Sequence, residues 1–495
     1  MGKFYVTTSI PYVNANPHIG FALEIVQADV LARYHRQKGD GVFFLTGADE
    51  HGVKIVRAAE SAGKTPKEFT NNITKKFKDL KKTLNLSYDD FIRTSDKKRH
   101  WLGAQKLWLK LYDAGKLYKK SYKGLYCVGH EAFITEKDLV NGKCKDHQKE
   151  PEIIEEENWF FKLSDYTDEI KAKIEKGELR IAPESRRNEI LSLINTGLED
   201  ISFSRPSKDL SWGIPVPNDP RHTMYVWCDA LSNYITALGY GQKSHPMGDR
   251  PKGEKFRRWW PADVQVIGKD ILRFHAAIWP GMLLAAKLPL PKTIFVHGFI
   301  TAGGEKMSKT TGNVVEPVEV VKKYGADALR YYLLREIPSG GDGDFTYEKF
   351  EKRYNADLAK GLGNLVARVL ALAQKGKIKI QKNSRVAGSR QAGKIFISEI
   401  KKVEKSLDQS IANFKFNEAL EHIWRLASLG DKYIDSKKPW ALKSSSKEFK
   451  EIIGSLLFLI SEIGKLSLPF LPETAGKIAK HISSGKNIIL FPRLK

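Results

Sequence analysis

Three groups of residues in this chain have types and spacings that could do chemistry. His18 and Gly20 lie in PYVNANPHIGF, residues 11–21, where a strand-like run, KFYVTTSI, hands over to apolar residues at helical spacing (Ile19, Leu23, Val26, Val30). A helix N-terminus presents free N–H groups and a partial positive charge, which suits phosphate. Gly20 in the first turn lets a ligand approach the backbone closely, and His18 could donate to a phosphate whose charge grows during reaction. Taken alone, a histidine in such a loop is more often a cap or a packing residue. Lys306 and Lys309, three apart in GGEKMSKTTGN (303–313), make a cationic loop that could clamp a polyphosphate and release it afterwards. The same composition also describes a solvated basic turn. Cys127, His130, Cys144 and His147 form two Cys-x2-His pairs thirteen residues apart. Their nitrogen and sulfur ligands at this spacing fit a closed tetrahedral zinc site that stabilises rather than catalyses, the alternative being unrelated surface residues.

The elements that must position these groups follow from periodicity. KFYVTTSI precedes the helix from His18, GVFFLTG (41–47) precedes VKIVRAAESAG, DVQVIG (263–268) leads into KDILRFHAAIWPGMLLAA, and KTIFVHGFI (292–300) follows. Such alternation predicts an α/β, doubly wound parallel-sheet, Rossmann-like domain over 1–116 and 223–293. Residues 117–222, with short aromatic strands, turns and the Cys/His pairs, read as an inserted zinc-knuckle domain. Residues 294–354 carry the lysine loop. Residues 355–495 form a C-terminal α-helical bundle, because DLAKGLGNLVARVLALAQK, SEIKKVEKSLDQSIANF, FNEALEHIWRLASLGDKYI and FKEIIGSLLFLISEIGKLSL each carry an apolar stripe. KNSRVAGSRQAG between the first two is a loop.

Composition narrows the function. With 495 residues and 41% hydrophobic content the chain can build several buried cores. Its formal charge of +24, with 24 basic against 11 acidic residues from Ala371 onward, points to a polyanionic partner, nucleic acid or an acidic membrane surface. No run reaches the roughly 18 apolar residues of a membrane span, and the N-terminus lacks a signal-peptide pattern. Three cysteines fit a reducing cytoplasm.

Together, PHIG after a first strand and KMSK after a last one resemble the signature motifs of class I aminoacyl-tRNA synthetases. In order and content, TSIPYVNANPHIG, TGADEHG (46–52), YVWCDALSNYITALG (225–239), IGKDILRFHAAIWP (267–280) and KMSKTTGN resemble the methionyl-tRNA synthetase family over nearly the whole chain. The resemblance implies a cytoplasmic ligase that activates methionine with ATP and Mg2+ and charges tRNA(Met). It implies a methionine pocket of Ile10, Tyr12, Trp227, Ala230, Leu231, Tyr234, Ile271, His275 and Trp279, with Asp49 pairing with the ammonium. ATP contacts fall to His18, Gly20, Gly268, Asp270, Lys306 and Lys309, of which His18, Lys306 and Lys309 carry the chemistry. Asn364, Arg368 and Trp440 would read the anticodon. The pocket is chemically sensible, since a thioether gains from sulfur–aromatic contacts of about 0.3–1.5 kcal/mol each. Packing alone would also explain Trp227, Trp279 and Trp440.

Three residues depart from the family pattern: Phe21 replaces the usual last histidine of the first motif, Thr310 replaces serine, and His130 stands where cysteine is common. No dimerisation domain follows the bundle, so a monomer is expected. An insertion of about a hundred residues leaves no room for a large editing domain, which disfavours the leucine, isoleucine and valine enzymes. A zinc-stabilised nucleic-acid-binding protein that has lost catalysis is the rival from another class, with Phe21 its argument.

Overall fold

A computed structural model of the chain describes residues 2–130, 132–242, 253–307, 313–378 and 393–494. They fall into two compact units. The first comprises Met1–Pro17, Gly39–Asp79 and Tyr88–Val296; the second comprises His18–Lys38, Leu80–Ser87 and His297–Lys495.

The first unit is organised by six strands: β1 (Lys3–Thr8), β2 (Gly41–Ala48), β3 (Asp90–Arg93), β4 (Arg180–Ala182), β5 (Val264–Gly268) and β6 (Thr293–His297). Their order is β3-β2-β1-β5-β6-β4. The pairs β1–β2, β2–β3, β1–β5 and β6–β4 are parallel, with Val6 of β1 opposite Phe44 on one side and Val264 on the other. β5 and β6 are buried at every residue, so they are largely apolar on both faces rather than alternating, with Gln265, Thr293 and His297 the buried polar exceptions. The winding reverses between β1 and β5. The carboxyl ends of these two strands carry Ile10 and Tyr12 on one side and Gly268 and Asp270 on the other, and the crevice at such a reversal is where doubly wound sheets bind ligands.

Within 117–222, Leu117–Cys127, Ala132–Ile134, Glu152–Phe161 and Ile201–Ser202 make a separate four-stranded sheet. Arg180–Ala182 from the same span is nevertheless β4, the edge of the central sheet, so the span contributes to that sheet as well as interrupting it. Three residues are too short for any period to announce a strand.

In the second unit the first-motif helix, α1 (Ile19–Gln37), belongs with the C-terminal helices. All four expected stripes are helical, at Asn364–Lys375 (preceded by a π-helical run, Tyr354–Gly363), Gly393–Ala412, Phe416–Lys437 and Lys447–Ser467. Most of the loop expected at KNSRVAGSRQAG lies outside the described residues. Arg330 is the buried hub of this unit. Its guanidinium meets Asp29 of α1 at 2.8 Å and donates to the carbonyls of Leu84, Pro469 and Phe470. Burial alone would raise the pKa of Asp29; Arg330, Arg33 and Ser87 overcome that and hold it below the ordinary carboxylate value.

Candidate active site

His18 is the N-cap of α1. Its extended backbone leaves the carbonyl to accept from Phe21 and Ala22 N–H, while Nδ1 accepts from Gly20 N–H at 3.1 Å. An Nδ1 that accepts must place the ring proton on Nε2, so the neutral imidazole presents a donor. Desolvation lowers the His18 pKa below its ordinary value, although the residue keeps exposed surface, and this favours the neutral form. Gly20 makes the arrangement possible: a Cβ there would come within 2.9 Å of His18 Cε1 and 3.0 Å of Nδ1. The next turn begins with Ile19 N–H donating to Val315 C=O at 3.0 Å, which ties the first motif to the segment just after the lysine loop. Lys309 and Thr310 lie outside the described residues. For Lys306 the backbone is described, in the short strand Glu305–Lys306 paired with Ile300–Ala302.

In the first unit the expected pocket residues come together in one apolar cluster. Leu231, Tyr234 and Trp279 are buried within it, and Ile10, Tyr12, Trp227 and Ile271 pack against it while keeping partial exposure. Ala230 and His275 are also buried. Tyr12 and Asp49 are joined by backbone: Asp49 N–H donates to Pro11 C=O at 2.9 Å, and Val13 N–H donates to Asp49 C=O at 3.1 Å. This bridge places a buried carboxylate next to the aromatic cluster.

The IGKD stretch explains how His275 is aimed. After β5 come a 3-10 turn (Lys269–Ile271), a π-helical turn (Phe274–Ile278) and an α-helix (Trp279–Ala285). Pro280 has no N–H and its ring crowds the carbonyl four residues back, so the preceding turn widens, with Trp279 N–H bonding Phe274 C=O. His275 Nδ1 donates to Ile271 C=O at 3.0 Å, which leaves Nε2 to accept from Tyr234 O–H at 2.8 Å. Trp227 stacks on Phe274 with centroids 3.8 Å apart, and Tyr234 packs against Trp279. Gly268 is buried at the strand end and Asp270 is exposed one turn on. Phe274 is a member that sequence reasoning passed over, because an apolar residue on a buried helix gives no distinguishing signal.

Cys127, His130, Cys144 and His147 converge, with one donor atom from each lying within 4.8 Å of the others. Three sulfur–nitrogen separations are 3.8, 3.6 and 3.7 Å. Bonds of about 2.3 Å to sulfur and 2.0–2.1 Å to nitrogen at a tetrahedral angle give edges of about 3.6 Å, which these three separations match. The other nitrogen of His130 faces Asp146 at 3.0 Å, the kind of outer partner that orients a ligating imidazole. Gly129 is required here, since a Cβ would fall 2.2 Å from the His147 ring.

In the helical region Asn364 is exposed and Arg368 lies one turn on along the same helix. The Arg368 guanidinium is 5.7 Å from the Trp440 ring centroid and pairs with Asp435 at 2.6 Å and Asp431 at 3.5 Å. Trp440 is 47% exposed, which rules out a role as a core packing residue. Burial pushes the Asp431 pKa up to about 6, with Arg368 opposing and Asp435 adding to the rise.

The family model described as tRNA synthetases class I (M) matches residues 4–144 and 134–370, and an anticodon-binding domain of tRNA ligase matches 393–493. The methionine–tRNA ligase of Caldanaerobacter subterraneus is 44% identical over 99% of this chain and 76% of its own length; that of Clostridium perfringens is 47% identical over 97% and 73%. The chain belongs to the methionyl-tRNA synthetase family. The structure of Mycobacterium tuberculosis methionyl-tRNA synthetase in complex with methionyl-adenylate superposes with a TM-score of 0.89 at 37% identity, covering 100% of this chain and 99% of that one.

Against the family pattern, Phe21 is buried in the first turn of α1. Its side chain belongs to the core and brings no donor, so the neutral His18 Nε2–H is the imidazole donor that this motif offers. Sequence reasoning also missed a buried trio, His51, His100 and Asp229. Asp229 accepts from both imidazoles at 2.6 Å. The partners are 178 and 129 residues apart in sequence, so no local spacing could have revealed them.

Proposed function

We propose that the chain is a methionine–tRNA ligase. A methionine carboxylate oxygen attacks the α-phosphorus of ATP, pyrophosphate leaves, and the methionyl group of the adenylate then passes to the 3′ end of tRNA(Met). The observation that carries the methionine half is the backbone bridge that sets Asp49 and Tyr12 beside a cluster of Tyr234, His275, Trp227 and Trp279 at the carboxyl edge of a parallel sheet. Asp49, buried and accepting from the Thr94 hydroxyl at 3.4 Å, neutralises the substrate ammonium. Ile10, Ala230, Leu231 and Ile271 supply apolar surface for the side chain. For ATP, Gly268 and Asp270 serve the nucleoside, and His18 Nε2–H and the Gly20 N-terminal turn serve the phosphates, joined by Lys306 and Lys309. No covalent nucleophile is needed; the chemistry is positioning and neutralisation of phosphate charge. Mg2+ accompanies the phosphates as their counter-charge. A zinc ion held by Cys127, His130, Cys144 and His147 orders the inserted segment. Asn364, Arg368 and Trp440 bind the anticodon, with an unpaired base stacking on the exposed indole.

Methionine-dependent exchange of pyrophosphate into ATP tests this reading. Exchange with methionine, and none with leucine, valine, isoleucine or cysteine, is the expected result. Absence of exchange with methionine while tRNA still binds would overturn it in favour of a nucleic-acid-binding protein. Homocysteine, one methyl group short, is the expected weak competitor, because a methyl or methylene difference in an apolar pocket discriminates by only about 1–3 kcal/mol.

A further inference from the structure

The short helix Val226–Leu231 presents two kinds of residue. Leu231 belongs to the apolar cluster, Trp227 packs against it and Ala230 is buried beside them in the chain, whereas Asp229 is fully buried and bonds two imidazoles. One carboxylate oxygen accepts from His51 Nδ1 and the other from His100 Nε2, each at 2.6 Å, and His100 Nδ1 bonds the Thr236 hydroxyl at 2.7 Å. His51 comes from the loop that carries Asp49, two residues away, and its backbone N–H is 3.5 Å from Asp49 Oδ1. His100 comes from the π-helical turn Lys97–Trp101, and Thr236 from the next short helix, Asn233–Thr236, which carries Tyr234.

One carboxylate therefore ties the loop that bears the ammonium-binding residue to the helix that bears Trp227 and to a brace behind Tyr234. The construction is costly for stability alone. Burial alone penalises the Asp229 carboxylate, and the two imidazoles keep it ionised against that penalty. His51 Nε2 is buried with no hydrogen-bond partner among the described residues, and the imidazole makes T-shaped contacts with Trp101 and Trp212. An apolar core of the same volume would avoid both costs, but it would not fix the angle between loop and helix.

We propose that Asp229, acting through His51 and His100, is a positioning residue for methionine: it sets the separation between Asp49 and the Trp227–Ala230–Leu231 face to the length of the amino acid. The proposal rests on the methionine reading of this site. Its effect belongs to methionine and not to ATP, because the trio shares the Asp49 loop and the Trp227 helix and includes no residue assigned to the nucleotide.

The test measures KM for methionine and for ATP separately in pyrophosphate exchange, on full-length wild-type, Asp229→Asn, His51→Ala and His51→Asn proteins. Exchange by the wild type with methionine checks the underlying reading independently. The His51→Ala and Asp229→Asn variants are expected to raise the methionine KM by about tenfold or more, the scale of a small misplacement in a site, with the ATP KM unchanged. His51→Asn, whose Nδ2–H can occupy the place of the imidazole Nδ1–H, is expected to recover most of the loss. Two outcomes overturn the proposal. One is an unchanged methionine KM in the variants; the other is an equal rise in both KM values without rescue by asparagine, which marks general loosening. Should Asp229→Asn fail to fold, the His51 pair decides by the same criteria.

Discussion

The His18 cap makes a sharp prediction for Gly20→Ala. A Cβ at position 20 would lie 2.9 Å from Cε1 and 3.0 Å from Nδ1 of His18, where ordinary contacts begin at 3.4 Å. The imidazole must withdraw by about 0.4–0.5 Å, which stretches the 3.1 Å Gly20 N–H···Nδ1 bond beyond useful length and frees the ring to turn. Two stability terms then oppose each other. Losing the cap costs about 1 kcal/mol, and alanine in place of glycine in a helix gains up to about 1 kcal/mol. Thermal stability is therefore expected to change by less than about 1 kcal/mol. On the proposed role of His18, activity has no such compensation, because the Nε2–H donor is no longer aimed and losing one transition-state donor costs about 10²–10³ in rate. Pyrophosphate exchange by Gly20→Ala should fall to near the level of His18→Ala, and the double variant should be little worse than either single one, since both remove the same contact. A Gly20→Ala protein that melts like wild type and keeps its exchange rate within about threefold would refute the argument that the cap fixes the donor.

Gly129→Ala drives a methyl into the His147 ring, so the purified variant should hold well under one equivalent of metal per chain by elemental analysis, against an expected one for the wild type. Asp431 has a folded pKa of about 6, above its ordinary value of 3.8, so the folded state binds the proton more tightly. Its linked contribution to stability is thus present at low pH and lost as pH rises from about 4 to 6. Asp431→Asn should accordingly stabilise at pH 7.5 by roughly 1 kcal/mol and by less at pH 5, read as the pH dependence of the melting difference. Arg330→Ala leaves the Asp29 carboxylate buried without its main partner and should destabilise by about 3–5 kcal/mol in denaturant unfolding.

The strands and helices that could be read from the sequence were those with a strong period or a continuous apolar run: β1, β2, β5, β6, α1 and the four long C-terminal helices. The chemistry was legible where a motif is contiguous, as in PHIG, and where a rare residue type repeats at fixed spacing, as in the Cys/His pairs. It was not legible where it depends on residues far apart in sequence. Asp229 reads as an ordinary polar residue in YVWCDALSNY, and only folding brings it to His51 and His100. β4 was hidden for the opposite reason: three residues have no period, and Arg180–Ala182 becomes a strand because β6 offers it a parallel edge. In the sequence Gly20 signals room for a ligand, and the structure adds that the room is first taken by the imidazole of His18.

The partition of the first motif has a mechanical consequence. β1 and Tyr12 belong to one compact unit, and His18 with α1 belongs to the other, so the loop between them divides the residues proposed for methionine from those proposed for the phosphates. Within the second unit α1 is held at both ends of its buried stretch. At its N-terminus Ile19 N–H bonds Val315, which directly follows the lysine loop; further along, Asp29 takes Arg330, whose remaining donors cap the carbonyls of Pro469 and Phe470 after the long helix Lys447–Ser467. Tyr34 and Lys38, near the end of α1, both reach Asp408 of the helix Gly393–Ala412. The turn that carries His18 is thereby fixed to the segment after the lysine loop by a backbone hydrogen bond, and α1 to the C-terminal helices by the buried Asp29–Arg330 pair and the outer Tyr34 and Lys38 contacts, rather than by apolar packing alone. Apolar faces can slide past one another at small cost, whereas a guanidinium shared among a carboxylate and three carbonyls has one geometry. That difference is a physical reason for placing the costly pair Asp29–Arg330 on the helix that carries His18.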